Sequence, residues 1–164
     1  MSDRTRGTLT EPSADRAARY ERIASQLEDL FRKTTDREAR MATAAAVLHH
    51  KMPHFFWTGF YRLVGEDLVV GPYQGPLACA VLPRRTGVCW AALAEGRTIV
   101  VPDVHTFPGH VACDSRSRSE VALPVPVPGG APAGVLDVDS DKPAAFTEAD
   151  ARGLEAVAAL IYQP

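Results

Sequence analysis

The apolar residues of this chain change their period along the sequence, and this change constrains the fold more than any other feature. They recur at helical spacing over residues 15–33 and again after the Thr35-x-x-Glu38 capping box. From His54 onward, short apolar runs alternate with turns rich in Gly, Pro and Asp, which is typical of strands. A last helical pattern follows the Thr147-x-x-Asp150 box. Helices at both ends with strands between them predict an α+β domain.

The middle of the chain contains six strand candidates and one short helix. The strands are expected at residues 55–63, 68–71, 77–82, 98–101, 120–127 and 133–138, and the helix at 88–95, with Thr86 placed to cap it. We expect a central antiparallel sheet with the terminal helices packed on one face and the loops, including a long one over residues 102–117, on the other. Residues 1–12 are predicted to be a disordered tail and residues 13–164 one domain.

Composition restricts the class of function. The 164 residues are 46% hydrophobic, enough for one core, and the formal net charge of −2 offers no electrostatic case for nucleic acid or an anionic membrane as a partner. No apolar run approaches the length of a membrane span, and the N-terminus lacks the apolar core of a signal peptide. These features predict a soluble cytoplasmic protein, whose thiols are kept reduced between turnovers.

Three cysteines, Cys79, Cys89 and Cys113, lie in the strand-rich half of the chain. An odd number of thiols in an intracellular protein indicates reactive sulfur, metal ligation or inert packing. Cys89 lies near the predicted start of the short helix, just after Arg84 and Arg85, so the helix dipole and two cations are expected to favour its thiolate. Cys79 is placed on a strand and is compatible with simple packing, whereas the surroundings of Cys113 are mixed.

A metal site is one alternative for the long loop. Its ligands would be His105, His110 and Cys113, with or without Asp103. The spacing matches no metal motif, and the chain has no Cys-x-x-Cys pair. The favoured interpretation is that the two histidines are hydrogen-bonded anchors of the loop.

Acidic residues supply a second set of candidates. Asp137 and Asp139 end an apolar strand and, by alternation, point to the same face, while Glu120 begins the neighbouring strand. Three carboxyls brought together repel one another, so one can stay protonated near neutral pH and donate to an oxygen, while an ionised one can hold an ammonium group. The alternative is that Asp139 and Asp141 serve only as turn and capping residues.

Aromatic residues on one strand complete the candidate site. Trp57 and Tyr61 are four residues apart and therefore share a face of the predicted strand. Such a pair is most often part of a core. The alternative is an aromatic pocket wall, which suits a methyl or sulfur-bearing group.

Several short motifs follow one another in this half of the chain. They are Gly71-Pro-Tyr-Gln-Gly, Gly87-Val-Cys, Val101-Pro-Asp-Val-His, Phe107-Pro-Gly-His-Val-Ala-Cys-Asp-Ser, Ser119-Glu-Val and Gly134-Val-Leu-Asp-Val-Asp-Ser. In this order they resemble the free methionine-R-sulfoxide reductases, small enzymes built on a GAF domain. The resemblance extends from about His54 to the C-terminus and implies a GAF-like sheet, with no bound cofactor and no metal.

The resemblance also implies a mechanism. The family reduces the R epimer of free methionine sulfoxide, and Cys113 matches the attacking cysteine, which is left as a sulfenic acid. Cys79 and Cys89 match the other two cysteine positions, and either of them can resolve the sulfenic acid as an intramolecular disulfide. Thioredoxin would then reduce this disulfide.

The remaining family positions fall on residues already singled out by their chemistry. By resemblance, Glu120 and Asp139 are expected near the sulfoxide oxygen and Asp137 near the α-ammonium group. Trp57 and Tyr61 are expected around the S-methyl group. Backbone N–H groups of residues 86–89 are expected to meet the substrate carboxylate, because they begin the short helix.

Two further expectations remain open. A GAF domain can instead be a sensory module that binds a small ligand without turnover, because a fold does not decide a function. A homodimer that pairs through the N-terminal helices is also compatible with the sequence.

Overall fold

A computed structural model describes residues 11–164. Within them, the helices are α1 (Ser13–Phe31), α2 (Arg37–Lys51), α3 (Val88–Glu95) and α4 (Glu148–Leu160), and a 3-10 helix spans Val104–Thr106. The strands are β1 (Trp57–Val64), β2 (Asp67–Gln74), β3 (Ile99–Val101), β4 (Ser119–Pro124) and β5 (Gly134–Ser140). They form one antiparallel sheet in the order β2-β1-β5-β4-β3. The predicted α+β architecture is therefore confirmed.

The two faces of the sheet carry different side chains because strand residues alternate. On one face, α1, α2 and α4 cover an apolar layer that includes Phe60, Leu123 and Leu136. On the other face, Trp57 and Tyr61 lie with the apolar side of α3. The terminal helices thus pack on one face and leave the loops to the other, as the sequence predicts.

One predicted strand is wrong. Residues 77–82 form no strand and share only the isolated bridge between Val81 and Val69 with the outer edge of β2. Leu77 is 85% exposed, which shows that its apolar character does not reflect burial in a sheet. The segment lies between Pro76 and Pro83, and proline cannot donate to a strand ladder. It forms a loop that carries Cys79.

The helix caps differ from prediction at two of three sites. Asp36, not Thr35, caps α2, and its carboxylate accepts a 2.7 Å hydrogen bond from the Ala39 N–H. Gly87 caps α3 with φ near +89°, while the Thr86 hydroxyl donates to the Arg84 carbonyl instead. The capping box at the start of α4 is present as predicted.

Two further predictions concern the N-terminal tail and the membrane. Residues 1–10 lie outside the described residues, so the predicted disordered tail over 1–12 stays a prediction. In the part of the chain that the structure describes, no helix has the length and apolar character needed to cross a membrane.

A buried ion network joins the first and last helices. The carboxylate of Asp150, fully buried on α4, accepts hydrogen bonds from Arg16 (2.7 Å), the Tyr20 hydroxyl (2.9 Å) and His54 Nε2 (3.0 Å). Burial alone would raise the pKa of Asp150, but the bonds from His54, the Thr147 backbone and Arg16 lower it to about 2. The network therefore stabilises the fold only while this carboxyl is ionised.

We expect Asp150→Asn to lower the free energy of unfolding at neutral pH by roughly 3 kcal/mol, because it leaves Arg16 buried without its counter-charge. The folded pKa lies below the ordinary value of 3.8, so this stabilisation is present above about pH 4 and is lost as the pH falls toward 2. Urea denaturation at several pH values measures the difference. Glu148→Gln, at an exposed position of the same helix, is the control. An equal loss at neutral pH and near pH 2 would contradict the assignment.

Candidate functional site

The pairing register of the central strands aligns acids with an aromatic ring. Asp139 on β5 lies directly between Trp57 on β1 and Glu120 on β4. Paired residues of neighbouring antiparallel strands point to the same face, so these three side chains form one row on the face away from α1, α2 and α4. The predicted convergence of Glu120 with the acids of β5 follows from this register.

Asp137 lies in the next row, between two positions that have almost no side chain. Its cross-strand partners are Gly59 on β1 and Ala122 on β4. A Cβ at Gly59 would come within 2.6 Å of Trp57 Cη2 and would overlap Tyr73 as well. Trp57 therefore packs in the space that a larger residue at position 59 would occupy, next to Asp137.

A pocket opens over these two rows. Its floor contains the three carboxyls together with Trp57 and Tyr61, and its walls come from parts of residues 77–82, 86–89 and 110–117. Trp57 stacks on Tyr61 with ring centroids 5.7 Å apart and on Tyr73 at 5.4 Å. The pocket thus combines an aromatic wall with an acidic floor.

Burial dominates the electrostatics of the floor. It raises the pKa of Glu120, Asp137 and Asp139 well above their ordinary values, and the negative charge of the neighbouring carboxyls adds to the effect. Asp137 is only 6% exposed, and its Oδ1 has no hydrogen-bond partner among residues 11–164. A buried acceptor without a partner is costly, so this atom favours a ligand that can donate to it.

Two of the three cysteines are joined. Cys79 and Cys113 form a disulfide with their Cα atoms 5.4 Å apart, and Cys113 lines the pocket. Cys113 is exposed and Cys79 is half-buried. The Tyr61 hydroxyl donates a 3.2 Å hydrogen bond to the Cys79 carbonyl, which ties the cysteine loop to the sheet. A disulfide can therefore form where small molecules and a reductant can reach it.

The expectation that Cys89 is held as a thiolate is wrong. The Cys89 side chain is 4% exposed, and its sulfur lies within 4.8 Å of carboxylate oxygens of Glu120 and Asp137. Burial, followed by the charge of these acids, raises the pKa of the thiol well above its ordinary value. One of the two cations expected to oppose this effect, Arg84, is engaged elsewhere, because it pairs with Asp67 at the surface, at 2.6 Å.

The two loop histidines have separate partners. His105 Nδ1 lies 2.9 Å from Asp103 Oδ1, while His110 Nε2 lies 3.1 Å from Glu120 Oε2. With Cys113 in a disulfide, the alternative metal site is not assembled, and the interpretation of the histidines as loop anchors is the better one. The contact between His110 and Glu120 was not expected from the sequence. The signal that could have indicated it is the Pro-Gly turn that reverses the chain before His110.

The site and the fold together define a class of protein: an α+β domain with an acidic pocket beside a cysteine pair that can form a disulfide. The GAF domain family matches residues 24–163, so the chain belongs to that family. Over 121 residues it is 41% identical to the free methionine-R-sulfoxide reductase of Escherichia coli, covering 74% of this chain and 73% of that protein.

Solved structures give the same result. The free methionine-R-sulfoxide reductase of Neisseria meningitidis in complex with its substrate is 41% identical, with a TM-score of 0.86 and coverage of 94% of this chain and 93% of the other. The fRMsr of Staphylococcus aureus in complex with substrate is 36% identical, with a TM-score of 0.81 over 87% and 93% of the two chains. The chain is therefore a GAF-domain protein closely related to the free methionine-R-sulfoxide reductases, which confirms the resemblance seen in its motifs.

We expect Asp137→Asn to raise the free energy of unfolding of the ligand-free protein at neutral pH, by about 1 kcal/mol. A carboxyl whose pKa is raised in the folded chain lowers stability once the pH exceeds its ordinary value of 3.8, because unfolding then releases the bound proton. The gain should shrink as the pH approaches 4. Urea denaturation of both proteins tests it, with Asp141→Asn, an exposed position just past β5, as the control. A variant less stable than the parent at neutral pH would contradict the expectation.

Proposed function

We propose that this protein reduces the R epimer of free L-methionine sulfoxide to L-methionine. The observation that carries the proposal is a buried carboxyl oxygen of Asp137, without a hydrogen-bond partner among residues 11–164, in a pocket lined by Cys113 of the Cys79–Cys113 pair. The close relationship to reductases of this name, two of them solved with substrate, supports it.

The substrate would be held by its amino-acid end. Its α-ammonium group donates to Asp137, and the positive charge favours the ionised carboxyl against the burial that raises its pKa in the protein alone. A residue inside a peptide chain has a neutral amide in place of this ammonium group. Its carboxylate lies at the start of α3, where the first backbone N–H groups have no acceptor within the helix and residues 86–89 line the pocket. Trp57 and Tyr61 pack against the S-methyl group. Selectivity for the free amino acid follows from the ammonium site.

The chemistry begins at Cys113. Its thiolate attacks the sulfoxide sulfur, and one proton is added to the sulfoxide oxygen. The S–O bond of the substrate breaks, the oxygen passes to the cysteine sulfur as a hydroxyl, and methionine is released. The cysteine sulfur is oxidised by two electrons to a sulfenic acid, and the methionine sulfur is reduced by the same two electrons. Glu120 and Asp139 provide the acid, because their raised pKa values favour a protonated carboxyl near neutral pH.

Cys79 is the cysteine that resolves the sulfenic acid. Its thiol displaces the oxygen of the sulfenic acid as water and forms the Cys79–Cys113 disulfide, a pairing that supports this assignment over one to Cys89. Cys89, also a catalytic candidate on the sequence, contributes to the acidic floor beside Asp137.

A dithiol reductant of the thioredoxin type then restores both thiols, and the exposed Cys113 gives it access. A cytoplasmic location suits this cycle, because thiols there are kept reduced. A homodimer through the N-terminal helices remains part of the proposal.

Single-turnover assays with reduced protein test the roles of the cysteines. Mixed with excess free methionine R-sulfoxide and no reductant, Cys113→Ser should form no methionine, while Cys79→Ser should form one equivalent and stop at the sulfenic acid. Ser115→Ala, an exposed neighbour in the same loop, is the control and should match the parent. Methionine is measured by chromatography. A parent protein that binds the sulfoxide but forms no methionine would indicate the sensory alternative, and a Cys113→Ser protein as active as the parent would move the attack to another thiol.

Steady-state kinetics test the ammonium site. In an assay coupled to thioredoxin, Asp137→Asn should raise KM for the free sulfoxide by about 10- to 100-fold with little change in kcat, because the lost ion pair is present in ground and transition state alike. Asp141→Asn should leave both constants unchanged. A collapsed kcat with an unchanged KM would assign Asp137 to the acid role instead.

A further inference from the structure

The buried position of Glu120 creates a problem of proton supply. In the proposed reaction each thiolate attack consumes one proton, which the acid gives to the leaving oxygen. Glu120 is 6% exposed and has Asp139 as its cross-strand neighbour, another carboxyl with a raised pKa. It needs a partner that can return its proton in every turnover.

Among the described residues, His110 is the one basic side chain within hydrogen-bond distance of the Glu120 carboxyl. Its Nε2 lies 3.1 Å from Glu120 Oε2, and within residues 11–164 the ring makes no other hydrogen bond. The side chain is 13% exposed and lines the pocket. It is therefore in contact both with the buried acid and with solvent.

The local chain holds this imidazole in place. The Phe107-Pro108-Gly109-His110 turn is closed by a 3.1 Å hydrogen bond from the His110 N–H to the Phe107 carbonyl, and Gly109 takes the positive φ of 69° that such a turn requires. The next residue, Val111, packs against Gly87 at the start of α3, where a Cβ would approach it to 3.2 Å. The ring is thus positioned by the backbone rather than by a second side-chain partner.

The protonation state of the ring suits a relay. Burial lowers the pKa of His110, so the imidazole is neutral near neutral pH. A neutral imidazole carries one N–H donor and one nitrogen acceptor, so it can take a proton from water at one nitrogen and give one up at the other. A glutamine at this position could keep a hydrogen bond to Glu120 but could not exchange protons.

We propose that His110 is a positioning residue that holds Glu120 toward the substrate and returns a proton to it from solvent after each transfer to the sulfoxide oxygen. The inference rests on the proposed reductase activity and extends it to a residue outside the acidic floor. The protons balance in each turnover: His110 passes one proton to Glu120 for each proton that Glu120 passes to the sulfoxide oxygen, and water returns one proton to the imidazole.

The test compares methionine formation by His110→Gln, His110→Ala and the parent, in single turnover and in the coupled assay. We expect kcat to fall about 10- to 100-fold in both variants with little change in KM. Added imidazole should restore much of the rate of His110→Ala, since the deleted ring leaves space beside Glu120, and should not affect the parent. His105→Gln is the matched control, because His105 lies in the same loop, is 60% exposed and bonds to Asp103 instead.

Each outcome distinguishes the two proposals. Full activity in His110→Gln, or a loss in His110→Ala that imidazole does not restore, would overturn the relay and leave His110 as an anchor of the loop, with the reductase intact. A parent protein that forms no methionine would overturn the proposed function and the relay with it. Circular dichroism of each variant at the assay temperature shows that the compared proteins are folded.

Discussion

The site depends on the pairing register of β1, β5 and β4. This register places Glu120, Asp139 and Trp57 in one row and Asp137 in the next, all on the face that the large helices leave free. A shift by one residue in β5 would turn both of its acids into the apolar layer beneath α1, α2 and α4. That layer, built around residues such as Phe60 and Leu136, opposes such a shift, so the apolar core enforces the position of the acids.

The acidic floor lowers the stability of the folded protein. Three carboxyls with raised pKa values, one of them with an oxygen that has no partner within residues 11–164, cost stability that the apolar core and the Asp150 network offset. A cationic ligand group removes part of this cost. The same environment makes Cys89 and Cys113 differ in reactivity. Burial among the acids raises the pKa of the Cys89 thiol and keeps it protonated, whereas Cys113 lies exposed above the acids.

Much of this arrangement could be predicted from the sequence where strand alternation decides it. Asp137 and Asp139 share a face, Trp57 and Tyr61 share a face, and the terminal helices lie together. Predictions based on sequence neighbours were less successful. Arg84 and Arg85 precede Cys89 in the chain, yet the pKa of its thiol is determined by its burial and by the acidic residues of β4 and β5 that lie beside it.

Contacts between loops could not be predicted from the sequence either, because they join residues that are distant in the chain. The choice of Cys79 as the partner of Cys113 depends on two loops meeting above the sheet, and the contact of His110 with Glu120 depends on a turn at the end of one of them. Residues 77–82 have the composition of a strand, but Leu77 is exposed and the flanking prolines prevent a regular ladder. Local propensity was therefore a poor guide in the loops, where tertiary contacts decide the conformation.

The central claim is that the pocket recognises a free amino acid through the carboxylate of Asp137. Titration calorimetry on reduced Cys113→Ser protein, which cannot turn over, tests it with free L-methionine R-sulfoxide and with its N-acetyl derivative, which lacks the ammonium charge. Binding of the free compound with no detectable binding of the acetylated one is the predicted result. Equal affinity for the two compounds would contradict the claim.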